Sequence, residues 1–435
     1  MLKMYDVHKS NPYNIRYSSK NDVVSKLSQH IFDAINIDKV KKRELKLRCV
    51  ATTILNLKVA YETRHYVRVS RKNEYYSQYP KRYKYPFYTY YIMKPIIDGL
   101  ADMGKLELLT GFKNFNDNSG QQTKIAPTKE FIEELKAIKR DMFEEVEPPE
   151  LVILKNRENK FYKDYRDTNK TRKMRRSLVS YNELRQESTI TLKDVKINQL
   201  PEEEFLKANE FLNRFSLKDD YTLQELPLRN PFIYRVFNDT FKLGGRYYGG
   251  IESNMPKLFR QSLYIDGEKT VEKDFSSMHI RMLYHSKGID YKNDAYNAVS
   301  NGDPELRKLY KLIGLVTINS TDMHNAINGI RNEIRDGGLS SLFPNLKDES
   351  IKPYIDNWVS AHPQISEFLN SDYGIKLQNI DSYIAQDVVD HFRKKSIVVL
   401  VVHDSFIVQK KHEDELVQVM NDSYRNKFSF NAIIN

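Results

Sequence analysis

Ile397–Gln409 reads IVVLVVHDSFIVQ, and this stretch decides the fold class. Six consecutive apolar residues are too few for a typical helix and suit a fully buried strand. His403-Asp404 then interrupts the run, and Ser405–Gln409 (SFIVQ) is again β-prone. The pattern predicts strand, tight polar turn, strand, with Asp404 at the hairpin tip. Upstream, Lys269–Asp274 (KTVEKD) predicts a short strand ending in a carboxylate. Ser276–Tyr284 follows with Met278, Ile280, Met282 and Leu283 at helical spacing. Two carboxylates far apart in sequence, each at a strand end, can converge on a pair of divalent ions. Phosphoryl transfer uses two such metals about 3.5–4 Å apart, and Mg²⁺ suits carboxylates because it is hard and keeps waters and phosphates in its shell. Taken singly, an Asp that caps a helix or turns a hairpin is the commoner structural case.

The rest of the chain bounds the reading. Its 435 residues hold 69 Lys+Arg against 58 Asp+Glu, a formal charge of +11. That length allows two to four domains, and 40% apolar residues exclude a wholly disordered chain. No apolar run approaches the roughly 18–20 residues of a membrane span, and the beginning MLKMYDVHKS has no apolar signal region, so a cytoplasmic location is expected. The single Cys49 excludes an intramolecular disulfide framework. Lys155–Arg176 contains ten Lys/Arg, and Arg71–Tyr91 interleaves cations with tyrosines. Such runs serve either as a solvated face or as a phosphate-tracking, base-stacking surface.

Tyr91–Met103 has helical spacing, Leu106–Phe112 and Gln121–Ala126 are strand candidates around the turn-rich Asn116–Gly120, and Pro127-Thr128 opens another helix. Helix, then hairpin with a polar tip, is the order of a winged helix. Glu145–Glu150 (EVEPPE) marks a domain boundary, and Pro201–Leu217 predicts an amphipathic helix.

Five short elements, in order, resemble the A-family DNA polymerases and, less closely, the phage-type single-subunit RNA polymerases. Gly244–Gly250 (GGRYYGG) is similar to the family's TGRLSS element. Val271–Arg281 (VEKDFSSMHIR) resembles motif A. Arg307–Ser320 (RKLYKLIGLVTINS) keeps Arg-x3-Lys of motif B, Leu377–Gln386 (LQNIDSYIAQ) resembles the helix before motif C, and Val401–Val408 (VVHDSFIV) resembles motif C. The whole chain also resembles the polymerase-primases of mobile elements such as staphylococcal cassette chromosomes.

The resemblance implies an α+β right-hand polymerase with a winged-helix-like domain over 1–147, which would bind nucleic acid or a partner. A basic thumb-like or linking region over 148–230 would follow, then palm over 231–285 and 371–435 with fingers over 286–370. It makes Asp274 and Asp404 the catalytic, metal-holding pair, with the Phe275 backbone carbonyl as a further ligand to two Mg²⁺ ions, for which Mn²⁺ can substitute. Arg307, Lys311, Leu315 and His279 would meet the incoming nucleotide. Arg246, Gln378 and His403 would contact the primer–template, with Glu272, Asn319 and Ser405 as accessory positions. Implied partners are a DNA primer–template or single-stranded template, nucleoside triphosphates, and a small accessory protein or helicase, with no membrane.

Departures from the family pattern fall in motifs A, B and C, and the motif A position is the one that in the family packs under the sugar. His279 replaces the motif A glutamate, Ser405 replaces the motif C glutamate, and Leu315 and Asn319-Ser320 replace the aromatic positions and glycine of motif B. The expected activity is DNA polymerisation without proofreading, because the first 150 residues lack a spaced acidic cluster. The alternatives are a primase or RNA polymerase on the same scaffold, and a non-catalytic replication initiator.

Overall fold

Short side chains that can cap, and glycines that let segments pass closely, set the element boundaries of this mixed α+β chain. The computed structural model describes residues 4–113, 120–196, 208, 211, 222–228, 231–336 and 347–435. The chain divides into two units: Met1–Asn169 with Leu192–Phe232 and Asn254–Ser262, and Lys170–Thr191 with Ile233–Ser253 and Leu263–Asn435.

In the first unit, β1 (Asp6–Pro12), α1 (Asp22–Ala34), α2 (Arg43–Thr63), β2 (His65–Val69), α3 (Asn73–Ser77) and α4 (Tyr90–Asp102) follow one another. Then come β3 (Leu106–Leu109), β4 (Thr123–Pro127) and α5 (Lys129–Leu135). The sheet order is β1-β2-β4-β3, with β1 parallel to β2 and the other pairs antiparallel. Asn21 starts α1 by accepting from the Val23 N–H at 2.9 Å, and Thr128 starts α5 by accepting from Phe131 N–H. Ile54, Leu57, Ile96, Leu100, Val67, Ile125 and Phe131 fill the core between helices and sheet.

The expected strand Leu106–Phe112 breaks after Leu109, and Phe112–Lys113 forms a separate small ladder with Gly120–Gln121. Gly111 permits this: a Cβ there would lie 2.3 Å from the Gln121 carbonyl. The expected hairpin tip Asn116–Gly120 lies outside the described residues apart from Gly120, and Pro201–Leu217 does so apart from Ala208 and Phe211. Part of the aromatic-basic stretch is internal. Tyr76 and Tyr83 are buried, while Arg82 pairs with Glu150, Asp164 and Asp167 and lies 3.9 Å from the Tyr165 ring centre. Tyr91 of α4 faces outward, at 73% exposure.

The second unit holds α6 (Asn169–Glu187, from Lys170 onward), β5 (Tyr234–Asn238), β6 (Thr240–Tyr248), β7 (Leu263–Ile265), β8 (Glu268–Asp274) and α7 (Met278–Ser286). It continues through α8 (Pro304–Asn319), α9 (Met323–Asp336), α10 (Asp348–Ala361), α11 (Gly374–Arg393), β9 (Leu400–Val402), β10 (Ser405–Gln409) and α12 (Glu413–Phe428). Its central strands are ordered β7-β8-β10-β9 and pair antiparallel. Asp303 caps α8 through the Glu305 and Leu306 N–H groups, with Pro304 pre-set at the first helical position. Helices α6 and α11 lie side by side and run parallel. Ser177 donates to Asp390 and Arg393 donates to Ser180, each pair 213 residues apart, and Lys170 lies over the Tyr383 ring.

His362 is fully buried, packed against Trp358 with ring centres 4.1 Å apart. Its Nε2 faces the Ala295 carbonyl at 3.1 Å, which can only accept, so Nε2–H donates and Nδ1 accepts from the Tyr284 hydroxyl at 2.7 Å. Burial pushes its pKa below the ordinary imidazole value, outweighing the opposing Ala295 bond. The unfolded chain therefore binds this proton more readily. The stabilising contribution is complete above the ordinary value of about 6.5 and is lost as pH falls below it. His362→Gln is expected to flatten that part of the stability–pH profile in chemical denaturation.

Candidate active site

The hairpin β9–β10 forms because IVVLVV and SFIVQ each bury well, leaving only His403 and Asp404 to turn. Val402 pairs with Ser405, and His403 adopts φ +58°, a left-handed conformation uncommon outside glycine. The strand portion of the expected Ile397–Val402 run is Leu400–Val402, since the preceding residues lead out of α11. Strand β8 pairs with β10 from Thr270↔Gln409 to Asp274↔Ser405. That register brings the end of β8 beside the hairpin turn, and the Phe275 N–H donates to the Asp404 carbonyl at 3.4 Å. Asp274 and Asp404, 130 positions apart, are thus neighbours. Beyond Asp274 the chain turns at Ser277, also left-handed at φ +50°, into α7.

Residues 433–435 fasten the other edge of this segment. Asn435 N–H donates to the Asp274 carbonyl at 2.9 Å, Ser276 N–H donates to the Ile433 carbonyl at 2.8 Å, and Phe275 bridges Ile434. The Phe275 carbonyl accepts no hydrogen bond among the described residues. Asp274 is exposed and Asp404 half-buried. No cluster of three or more His, Cys, Asp or Glu suited to a metal occurs among the described residues. The available donors are two carboxylates and one backbone carbonyl. These are hard oxygens, and they fit a divalent ion that retains waters and takes further oxygens from a substrate. Glu272, on the same strand face as Asp274, accepts from the Ser405 hydroxyl at 2.8 Å, so these two accessory positions hold each other.

Arg246 and His279 meet on a residue that the motif reading passed over. Asp381 of α11, 2% exposed, accepts from Arg246 Nε at 3.1 Å and Nη2 at 2.5 Å, and His279 Nε2 lies 2.8 Å from the same carboxylate. An ionised carboxylate only accepts, so His279 Nε2–H donates to it. Burial opposes the Arg246 charge, but Asp381, with smaller help from Asp404 and Tyr248, holds its pKa above the usual arginine value. Asp381 was detectable in principle. It sits between Leu377, Ile384 and Val388 on the buried side of α11, where an acid requires a partner. Asp381→Asn keeps the shape but removes the charge, and is expected to cost about 1–3 kcal/mol in thermal or urea unfolding.

The expected glycine-rich turn around Arg246 is instead part of β6, bulged against β5 with register shifts at Val236/Phe237 and Phe237/Asn238. The extra residue is absorbed because Gly244 and Gly245 take φ +65° and +103°. α11 clamps this bulge. Asn379 donates to the Gly244 carbonyl at 2.8 Å, and buried Arg235 joins the Gly245 carbonyl to Ser382 and Gln386. A Cβ on Gly245 would stand 2.5 Å from the Phe237 ring and 2.8 Å from Ser382 Oγ. Gly245→Ala is expected to destabilise by at least about 2 kcal/mol, read as a fall in unfolding midpoint.

Arg307, Lys311, Leu315 and Asn319, expected from the resemblance to meet the nucleotide or stand beside it, recur every four residues on α8 and share one side of it. Lys311 and Asn319 are exposed, and Leu315 is an outward apolar side chain at 58% exposure. Arg307 is held by Asp294 through Nη2 at 2.6 Å. Burial raises the Asp294 pKa, but the Arg307 hydrogen bond and two backbone N–H groups outweigh it and bring it below the usual carboxylate range. Asn319 returns its amide to the Leu315 carbonyl and abuts Gly374 at the start of α11. Gln378 lies half-buried one turn before Asp381, and His403 is exposed in the hairpin turn. No protein-family model matches this sequence, and no curated protein matches it.

Proposed function

We propose that the chain is a template-directed nucleotidyltransferase of the right-hand polymerase type, most like an A-family DNA polymerase, acting with divalent metal ions. The observation that carries this reading is the β8–β10 register, which pairs Asp274 with Ser405 and so brings it beside the turn that holds Asp404. Ions bound by Asp274, Asp404 and the Phe275 carbonyl would supply charge neutralisation at the transferring phosphate and activation of the attacking 3′ oxygen.

The chain's own residues provide binding and orientation. Lys311 and Arg307 offer cations to a triphosphate, which would compete with Asp294 for the Arg307 guanidinium. Leu315, one turn further, offers an apolar contact for the nucleotide. Arg246, held by Asp381, offers a fixed cation near Asp404, and His279, held by the same carboxylate, offers a ring of fixed orientation. The primer–template would be gripped near Gln378 and His403.

A winged-helix-like first unit is supported by the order α2-β2-α3-α4-β3-β4 together with the sheet order β2-β4-β3. In such a unit α4 is the helix that meets a duplex, and Tyr91 would be its exposed aromatic.

A second reading, a primase using ribonucleotides, is favoured by His279. An imidazole pinned to Asp381 at that position makes a different wall for the sugar from a free glutamate. One gel assay separates the possibilities, using the full chain with Mg²⁺, primed and unprimed single strands, and dNTPs or rNTPs. Extension of a primer by dNTPs alone supports the polymerase, and product from rNTPs on an unprimed strand supports the primase. No incorporation in any lane rejects both.

A further inference from the structure

We propose that the cleft between α6 and α11 is a second, non-catalytic binding site for the phosphate backbone of a single nucleic-acid strand. The cleft, about 380 Å³, is lined by Lys173, Arg176, Arg393 and Lys394, with the hydroxyls of Ser177 and Ser180 on its floor. Its one carboxylate, Asp390, is already used. Asp390 Oδ1 accepts from Ser177 Oγ and from Arg393 Nε and Nη2, both at 3.2 Å, and Oδ2 takes Gln386 at 3.5 Å. Lys173, Arg176 and Lys394 are exposed, and Asp387 on α11 lies within electrostatic reach of Lys173. Cations beside the Ser180 hydroxyl, which accepts from Arg393 and keeps its own proton to donate, are the chemistry that holds phosphate oxygens without reading bases.

Length favours a strand over a lone phosphate. The helices run parallel with partners 213 residues apart, so Lys394 lies level with residue 181. From Lys173, the first lining cation on α6, to that level is eight residues, or about 12 Å of helix, longer than a lone phosphate requires. The cleft is also separate from the Arg246–Asp381–His279 cluster. Asp390 is nine residues beyond Asp381 on α11, about 13 Å along the axis and half a turn round. Occupancy therefore does not depend on nucleotidyl transfer, and the test omits it.

Binding of a fluorescein-labelled 20-nucleotide DNA strand to the full chain is read by anisotropy between 50 and 200 mM salt, with EDTA and without nucleotide. The triple variant Lys173→Glu/Arg176→Glu/Lys394→Glu is expected to bind at least about tenfold more weakly at 50 mM salt. Its slope of log K against log salt should be shallower by about 2, since each single-strand contact contributes about 0.7. Lys26→Glu/Lys41→Glu/Lys42→Glu makes the same charge change in the first unit and is expected to stay within about twofold of the parent. Arg176→Glu alone, with an expected loss of about three- to fivefold, serves if the triple variant does not fold. Equal losses from both triple variants, or none from the cleft variants, would overturn the proposal. Inorganic tripolyphosphate is the competing probe. Displacement of the strand only at millimolar concentration supports a strand site, whereas displacement at micromolar concentration reassigns the cleft to a free polyphosphate and overturns it.

Discussion

Asp274→Asn and Asp404→Asn are each expected to reduce Mg²⁺-dependent primer extension by about a thousandfold or more. The reasoning starts from geometry. The β8–β10 register puts both carboxylates at one sheet end, and Asn keeps the size of Asp while removing the charge that would hold a divalent ion. Such an ion supplies several kcal/mol of transition-state stabilisation, and each 1.4 kcal/mol is a factor of ten in rate. The backbone ladder to Ser405 and the bonds to Asn435 do not involve either side chain, so the fold and primer–template affinity should change little. Single-turnover extension and a gel-shift titration on the same variants check the two halves of this expectation. Full-rate extension by either variant would remove the assignment of the carboxylates.

The largest effect on stability is expected from Glu252→Ala. Glu252, 1% exposed, accepts from Arg185 Nη1 at 3.1 Å and Nη2 at 3.2 Å, and the Arg185 side chain is wholly buried. Burial disfavours the Arg185 charge, yet Glu252 more than offsets this and keeps its pKa above the usual value. Gly250 belongs to the same arrangement, since a Cβ there would sit 2.2 Å from Glu252 Oε1. Removing the carboxylate leaves a buried guanidinium without its counter-charge, which costs about 3–5 kcal/mol. For a unit of this size that is a fall of roughly 8–15 °C in Tm. Replacing both partners, as in Arg185→Met/Glu252→Leu, is expected to recover most of the loss, because the pair's attraction largely repays its own desolvation. A double variant as unstable as Glu252→Ala would contradict this account.

Local pattern made the strands that carry Asp274 and frame Asp404 legible. The apolar run before His403 and the β-prone SFIVQ after it have no other sensible packing, and KTVEKD ends where its carboxylate does. The helix that carries Arg307 and Lys311 was equally readable, because Asp303-Pro304 is a start signal and Arg307, Lys311 and Leu315 fall on one face. Long-range pairing hid the rest. Asp381 looks like any helical acid until Arg246, 135 positions earlier, is folded against it. Glycines 244 and 245 suggest a turn by composition, yet their positive φ values serve a bulge inside a strand, which only the partner strand reveals. The basic run from Lys155 carries no hint that its helical part lies beside α11, because that alignment is set by residues 213 positions away.

The fastening of Asp274–Ser276 by residues 433–435 has a consequence for biosynthesis. One carboxylate waits for a hairpin made 130 positions later, and its end of the strand gains its second edge only when Ile433–Asn435 exist. Contacts of such separation close late because the intervening loop must first be ordered. At about 5–20 residues per second a ribosome spends several seconds or more between the two. A nascent chain therefore passes through a long interval in which the first unit is complete but the carboxylate pair is not. Fragments that stop short of Ser405 would keep that unit while lacking the carboxylate pair.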